Sequence, residues 1–430
     1  MTTTFVIVGA GLAGGTAAAT LRLNGFEGRL VLIGAEPHPP YERPPLSKQY
    51  LRGETSFESA LVRPPGYWAE QGVECRFGTR ARAIAPERKR ILLEGAGGSE
   101  ELPFDQLLLT TGLRNRTITG ATLEGIHSLR TVDEASALRD GIAGAAHAVV
   151  AGMGFIGAEV TAALRHAGVE VTVVEPLPGP VYAALGPEGS RIVEAIHAEH
   201  GVTMRFGERV DAFHGSGKLE AVTTSSGRRI DCDLAVIGIG TIPETSAVEA
   251  TGVPVDNGIV VDEYCRTGVD GIYAAGDVAN HLHPAYGRHI RVEHWQNALK
   301  QGEAAALSML GKGRPYDEVH WFWSDQYTDN IQVGGQLGSW ENAVIRGDVD
   351  ARRFVAFFLT GGRVHGALAV NLGRDLRRGL PLLKASAEVD PAILADPSAD
   401  VRSAAASPTA ASPAAAGPAA PRAGDANRRI

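Results

Sequence analysis

Short apolar runs, each closed by glycine, recur along the chain and set its frame. The first, FVIV at 5–8, is too short for a buried helix and reads as a strand covered on both faces. Gly9, Gly11 and Gly14 follow it in GxGxxG spacing, with Leu12 and Ala13 between them. An Ala-rich, helix-compatible segment leads to a second run at 30–33, then Ala35 and Glu36. Strand, glycine turn, helix, strand and acid in that order form a dinucleotide-binding unit. The first glycine permits the turn, the second lets backbone approach a pyrophosphate, and the third packs helix on strand. The helix N-terminus then offers free N–H groups to phosphate. Glu36, 22 residues past Gly14, suits an adenosine ribose.

The phrase returns 143 residues later, a period far too long for a solenoid. A strand at 148–151 precedes Gly152, Gly154 and Gly157, with Phe155 and Ile156 inside the motif. A strand at 171–174 then ends at Glu175. Two such units imply two dinucleotides. The Glu175 carboxylate would accept a ribose 2′-OH and repel a 2′-phosphate, and residues 176–185 carry no Arg or Lys, so the second nucleotide is expected to be NADH.

Between the units, Pro-rich residues 37–55 read as an irregular loop. It is either a surface connection or a cofactor wall carrying Arg43, Pro44 and Lys48. A strand near 73–77 and a pair at 83–84 and 90–93 come next, then a buried strand at 107–109 ending in Thr110, Thr111 and Gly112. Another buried strand runs into Gly238, Ile239 and Gly240, and strand-like runs at 259–262 and 271–277 precede a helix at about 295–310. Residues 318–402 alternate strands (331–333, 354–359, 364–372) with a closing helix near 375–383, an α+β pattern. Ala, Ser, Pro, Thr and Gly alone fill 403–421, so 403–430 is expected to be a disordered tail.

Composition narrows the class. At roughly 100–200 residues per domain, 430 residues make two or three. A net charge of -8 gives no basic field for nucleic acid. No apolar run reaches the ~18 residues of a membrane span, and no basic residue precedes the first strand as in a leader, so a cytoplasmic location is expected. Cys75, Cys232 and Cys265 form no CxxC and none falls in the 37–55 loop, which excludes a dithiol route. His281 and His283 are the closest histidine pair; with no cysteine nearby, no metal is expected there.

YERPPLSKQYL (41–51), LLLTTGLR (107–114), GFIGAE (154–159), IGIGTIPET (237–245), YAAGDVA (273–279), EHWQNA (293–298) and WFWSDQY (321–327) occur in order. Together they resemble the oxygenase-coupled NADH-dependent ferredoxin reductases, a branch of the FAD-dependent pyridine-nucleotide reductases. The resemblance covers residues 5 to about 385. It implies an α/β architecture: two Rossmann-like, glutathione-reductase-type dinucleotide-binding domains plus the C-terminal α+β domain. FAD would take 1–113 and 247–317, NADH 114–246, and the third domain 318–402.

By the same resemblance, Gly9 to Gly14 and Glu36 hold the FAD pyrophosphate and ribose, and Arg43 and Lys48 approach pyrophosphate and isoalloxazine. Ala81 would sit by the adenine; Thr111, Gly112 and Arg130 would close the site. Asp277, after Gly276, would accept from the ribityl chain. Trp295, with Glu293 and His294 before it, would cover the pyrimidine end, and Trp323 would lie on the nicotinamide side. Glu159 would pair with Lys48 beside the flavin, these two being the catalytic candidates. Relatives often have Asp at Ala35, Arg after Glu175, Ser at His294 and Asn at Glu244.

The chemistry implied is hydride transfer from NADH to FAD, then single-electron delivery to a [2Fe–2S] ferredoxin serving a cytochrome P450 or another oxygenase. Other acceptors of the same fold (rubredoxin, a quinone, monodehydroascorbate) stay open, as does an apoptosis-inducing-factor-like binding role. An acidic ferredoxin would need a local basic patch; Arg352, Arg353, Arg374, Arg377 and Arg378 are candidates.

Overall fold

The computed structural model describes residues 2–337 and 340–406. Its first sheet has five parallel strands in the order Ile272–Ala274, Gln106–Leu109, Thr4–Val8, Arg29–Ile33, Val73–Arg76. The second repeats the plan: Thr203–Phe206, Glu170–Glu175, His147–Ala151, Leu234–Ile237, Ile126–Ser128, all parallel. In both, the strand that feeds a glycine turn is central. Its residues Val6 and Ile7, or Val149 and Val150, are fully buried: helices cover one face of each sheet, and a three-stranded antiparallel sheet (80–103 on the first, 210–231 on the second) covers the other.

Register aligns the strand ends. Val8 pairs with Ile33 on one side and Leu109 on the other; Ala151 pairs with Val174 and Ile237. All six strands therefore stop at one level in their sheets, and the crevice beyond their carboxyl ends is where open α/β sheets take ligands.

The chain leaves the first sheet at Leu109, completes the second, and returns at Ile272. An antiparallel ribbon, Leu113–Asn115 against Thr241–Pro243, carries both crossings. Helix Trp295–Met309 then packs on helix Leu12–Leu23, so close that a Cβ on Gly302 would collide with the Ala13 carbonyl. That contact places His294 and Trp295 beside the first glycine turn.

The third body is a five-stranded antiparallel sheet ordered Trp321–Gln326, Asp329–Gly335, Arg363–Val370, Arg353–Thr360, Asn342–Asp348, with helix Gly373–Lys384 packed on it. Sequence patterning misses its first and last strands. WFWSDQ buries only Ser324 and Gln326, and NAVIRGD is mostly exposed with Arg346 as its buried residue, so in neither do apolar side chains mark the buried face. The strand pair near 83–93 has a third partner, Gly98–Pro103, with a single buried residue. The tail boundary also moves. Residues 403–406 are ordered: Ala404 is fully buried, Ala405 bridges to Val389, and the Ala406 N–H donates to the Glu388 carbonyl. Composition misses this because a small residue can fill a gap in a core built by others. Residues 407–430 of the expected tail lie outside the described residues.

Candidate active site

Both glycine turns open into one cavity of about 660 Å³. Gly9 and Gly152 have φ of 112° and 93°, a region that disfavours side chains. A Cβ on Gly14 would meet the Gly9 carbonyl, and one on Gly157 the Gly152 carbonyl, so the third glycine of each motif brings helix onto turn. Gly11 and Gly154 face open space and are the N-caps of helices Leu12–Leu23 and Phe155–His166. Neither helix has a side-chain cap or a first-turn acid. Their terminal N–H groups stay available for an anion, and the helix dipole favours one there.

Lys48 lies between the turns. Its Nζ is 3.0 Å from Glu159 Oε1, and the two side chains are only 6% and 4% exposed. Ser47 Oγ donates to Glu159 Oε2 at 2.5 Å and Ser324 Oγ to Oε1 at 2.7 Å. Gln326 continues the network, donating to Ser324 and accepting from His197, which burial holds down to about 4 and hence neutral. One carboxylate thus joins the 37–55 loop, the second nucleotide unit and the C-terminal sheet. Lys48 Nζ also sits 5.9 Å from the Trp323 ring centroid. Trp323 meets Trp295 edge-on at 5.7 Å and stacks on Trp321 at 5.4 Å.

At the far end, Arg43 holds Glu36 at 2.8 Å, and Tyr41 donates to the same carboxylate. Arg130 reaches Asp277 at 3.7 Å, a long contact. Burial pulls the Arg130 guanidinium below its ordinary value and pushes the Asp277 carboxyl above its own, against the attraction of Arg130. Gln301, fully buried, accepts from the Gly276 N–H at 2.8 Å and fixes that turn. Thr111 donates to the Glu244 carbonyl at 2.6 Å.

Most of the expected site residues line this cavity: Gly9, Gly11, Leu12, Ala13, Ala35, Glu36, Arg43, Lys48, Thr111, Gly112 and Arg130 from the first half, Gly154, Phe155, Ile156, Gly157, Glu159, Gly238 and Gly240 from the second, and Gly276, Asp277, Glu293, His294, Trp295 and Trp323. The 37–55 loop is therefore a wall of the cavity. Gly14, Ala81, Gly152, Glu175 and Ile239 are not in the lining. Gly14 and Gly152 serve the turns from behind. Ala81 packs against the first core, and Ile239 is on the surface. Glu175 is buried and accepts from the Met153 N–H at 2.6 Å and the Leu177 N–H at 2.8 Å.

Reading the sequence residue by residue missed Tyr41, Ser47 and Ser324. Their motifs, YERPPLSK and FWSDQY, were the only signal, since a hydroxyl carries no periodicity. It also missed His320, which joins His281 and His283 in a buried group. The three cysteines are free thiols, with burial pushing Cys75 up to about 11 and Cys232 up to about 12.

Comparison with known proteins matches residues 3–302 to the model "Pyridine nucleotide-disulphide oxidoreductase" and 321–405 to "Reductase C-terminal". Rhodocoxin reductase of Rhodococcus erythropolis is 40% identical over 404 residues, 93% of this chain and 94% of that one. The ferredoxin–NAD(+) reductase component of the anthranilate 1,2-dioxygenase system of Burkholderia cepacia is 39% identical, over 93% and 98% of the two chains. The crystal structure of the covalent putidaredoxin reductase–putidaredoxin complex superposes with a TM-score of 0.88 at 34% identity, covering 93% of this chain and 97% of that one. Two parallel sheets built to one plan, paired glycine turns on one cavity and a matching C-terminal body agree with these likenesses, and the chain belongs to the pyridine nucleotide-disulphide oxidoreductase family.

Proposed function

We propose that this chain is an NADH-dependent ferredoxin reductase, using FAD to pass electrons to a [2Fe–2S] ferredoxin that serves a cytochrome P450 or another oxygenase. One observation carries the reading: two unoccluded helix N-termini, each behind a glycine turn, face one cavity with a buried Lys–Glu pair between them. Two dinucleotides meeting end to end need that arrangement. The residues fit FAD at the first turn, where Gly11 leaves room and no side chain blocks the helix end. They fit a nicotinamide dinucleotide at the second, where Gly154 leaves the same room. With Glu175 turned onto backbone N–H groups, the preference for NADH over its 2′-phosphate form rests on the lack of Arg and Lys in 176–185.

Bound FAD supplies a hydride acceptor that releases electrons one at a time. Lys48 places a buried positive charge toward the centre of the cavity, where negative charge develops on reduction, and Glu159 holds it there. Asp277 and Arg130 close one end; Trp295 and Trp323 wall the other side and exclude water. Three separate thiols, Cys232 and Cys265 buried and Cys75 half-buried, offer no dithiol relay, which supports a one-electron acceptor. We place FAD on 1–113 with 247–317 and NADH on 114–246, the division falling at the two-stranded ribbon. Free cysteines fit a reducing cytoplasm, and no helix among the described residues is long and apolar enough to cross a membrane.

Stopped-flow absorbance on flavin-loaded protein tests this. Mixing with NADH bleaches the flavin rapidly, and cytochrome c is then reduced only when a [2Fe–2S] ferredoxin is present. Rapid bleaching with no delivery to any ferredoxin would move the search to other acceptors. Slow bleaching would overturn the reductase reading.

A further inference from the structure

His281 and His283 stand two apart on strand Ala279–His283 and so share one face. His320 arrives from the other body, one residue before strand Trp321–Gln326. The three are 1%, 0% and 5% exposed. Their ring centroids are 5.2 to 5.9 Å apart, and one nitrogen from each lies within 4.8 Å of the others. Among the described residues, both nitrogens of His281, both of His320 and Nδ1 of His283 have no hydrogen-bond partner. Five unmet polar atoms in one buried spot are costly unless something binds them.

We propose that His281, His283 and His320 bind one divalent first-row transition cation, for which zinc is the probe, tying the strand after the Asp277 turn to the C-terminal sheet. His283 is already set as a ligand. Its Nε2–H donates to the Glu318 carbonyl at 3.1 Å, which leaves the Nδ1 lone pair free, and metal-binding imidazoles are oriented this way. The donors are all nitrogen, which suits zinc and its neighbours and not calcium or magnesium. With zinc–nitrogen bonds of about 2.0–2.1 Å, tetrahedral ligands sit about 3.4 Å apart, so closure needs small ring rotations. Tyr316 packs on His281, but its hydroxyl donates to Asn297, leaving the fourth position to water. His294, on the cavity wall, is 6.3 Å from His320, so the cation would brace that wall from behind.

The test uses tag-free, flavin-loaded protein grown with added zinc, its metal measured by mass spectrometry. About one zinc per flavin is expected, with at least a tenfold loss in His320→Asn and none in His289→Asn, an exposed histidine on the neighbouring strand. Wild-type protein with under about a tenth of a zinc per flavin overturns the site, as does His320→Asn that keeps both flavin and zinc. If His320→Asn fails to hold flavin, X-ray absorption on the wild type decides. Three imidazole nitrogens at about 2.0–2.1 Å support the site; a sulfur or oxygen-only shell overturns it.

Discussion

Lys48 and Glu159 show how one buried charge depends on another. Taking either out of water is expensive, and only a close partner with further hydrogen bonds offsets it. Glu159 has Lys48 at 3.0 Å and the hydroxyls of Ser47 and Ser324. Lys48→Met leaves that carboxylate buried without its cation and should cost about 3–5 kcal/mol in denaturant unfolding of the flavin-loaded protein. Adding Glu159→Gln should recover most of it. Lys48→Met should also lower the flavin potential by tens of millivolts, at about 59 mV per 1.4 kcal/mol, and slow hydride transfer with flavin still bound. The drop stays modest because Glu159 already cancels part of the field. An unchanged potential and normal rates would remove Lys48 from the tuning role. The pairing follows from the family motifs; the serines do not, because nothing in a pattern says which hydroxyl finds which oxygen.

The element scale belongs to the two glycine turns, whose glycines have different jobs. Gly11 and Gly154 have extended backbone and nothing within reach of a Cβ, so alanine fits the folded chain at both. Gly11→Ala should fold and lose flavin on gel filtration, because its methyl occupies ligand space. Gly154→Ala should keep flavin and raise the KM for NADH at least severalfold. Equal flavin loss in both variants would contradict separate seats. Gly14→Ala should instead reduce the soluble yield, since its methyl meets the Gly9 carbonyl. These assignments are readable from spacing alone, because a tight turn and a close helix are local demands. Glu175 is different. Its spacing matches an acid on a ribose, yet the fold turns it inward onto two backbone N–H groups.

Across the whole molecule, a net charge of -8 makes docking of an acidic ferredoxin depend on a local patch. The candidate arginines separate. Arg352 is tied to Glu199 and Asp329, while Arg377 lies over Trp321 and donates to Gln332. Arg374 and Arg378 stand exposed on helix Gly373–Lys384, which reaches the cavity through Arg377, Trp321 and Trp323. Arg378→Glu should raise the ferredoxin KM severalfold at low salt and flatten its salt dependence, with NADH-driven bleaching unchanged. Steady-state kinetics at two ionic strengths check this, and an unaltered KM would exclude this helix face.

The sequence by itself determined the repeated βαβ plan, both nucleotide turns and the helix at Trp295, because each is written in neighbouring residues or in a fixed short period; it left 37–55 open between a surface connection and a cavity wall. Only the tertiary structure decided that Glu159 would be shared by three segments, that Glu175 would face inward, that 403–406 would close the third body, and that His320 would meet His281 and His283. Those outcomes depend on which residues meet in space, at separations from 16 (Val389 and Ala405) and 22 (Met153 and Glu175) up to 165 (Glu159 and Ser324), and a one-dimensional pattern carries no distance between them.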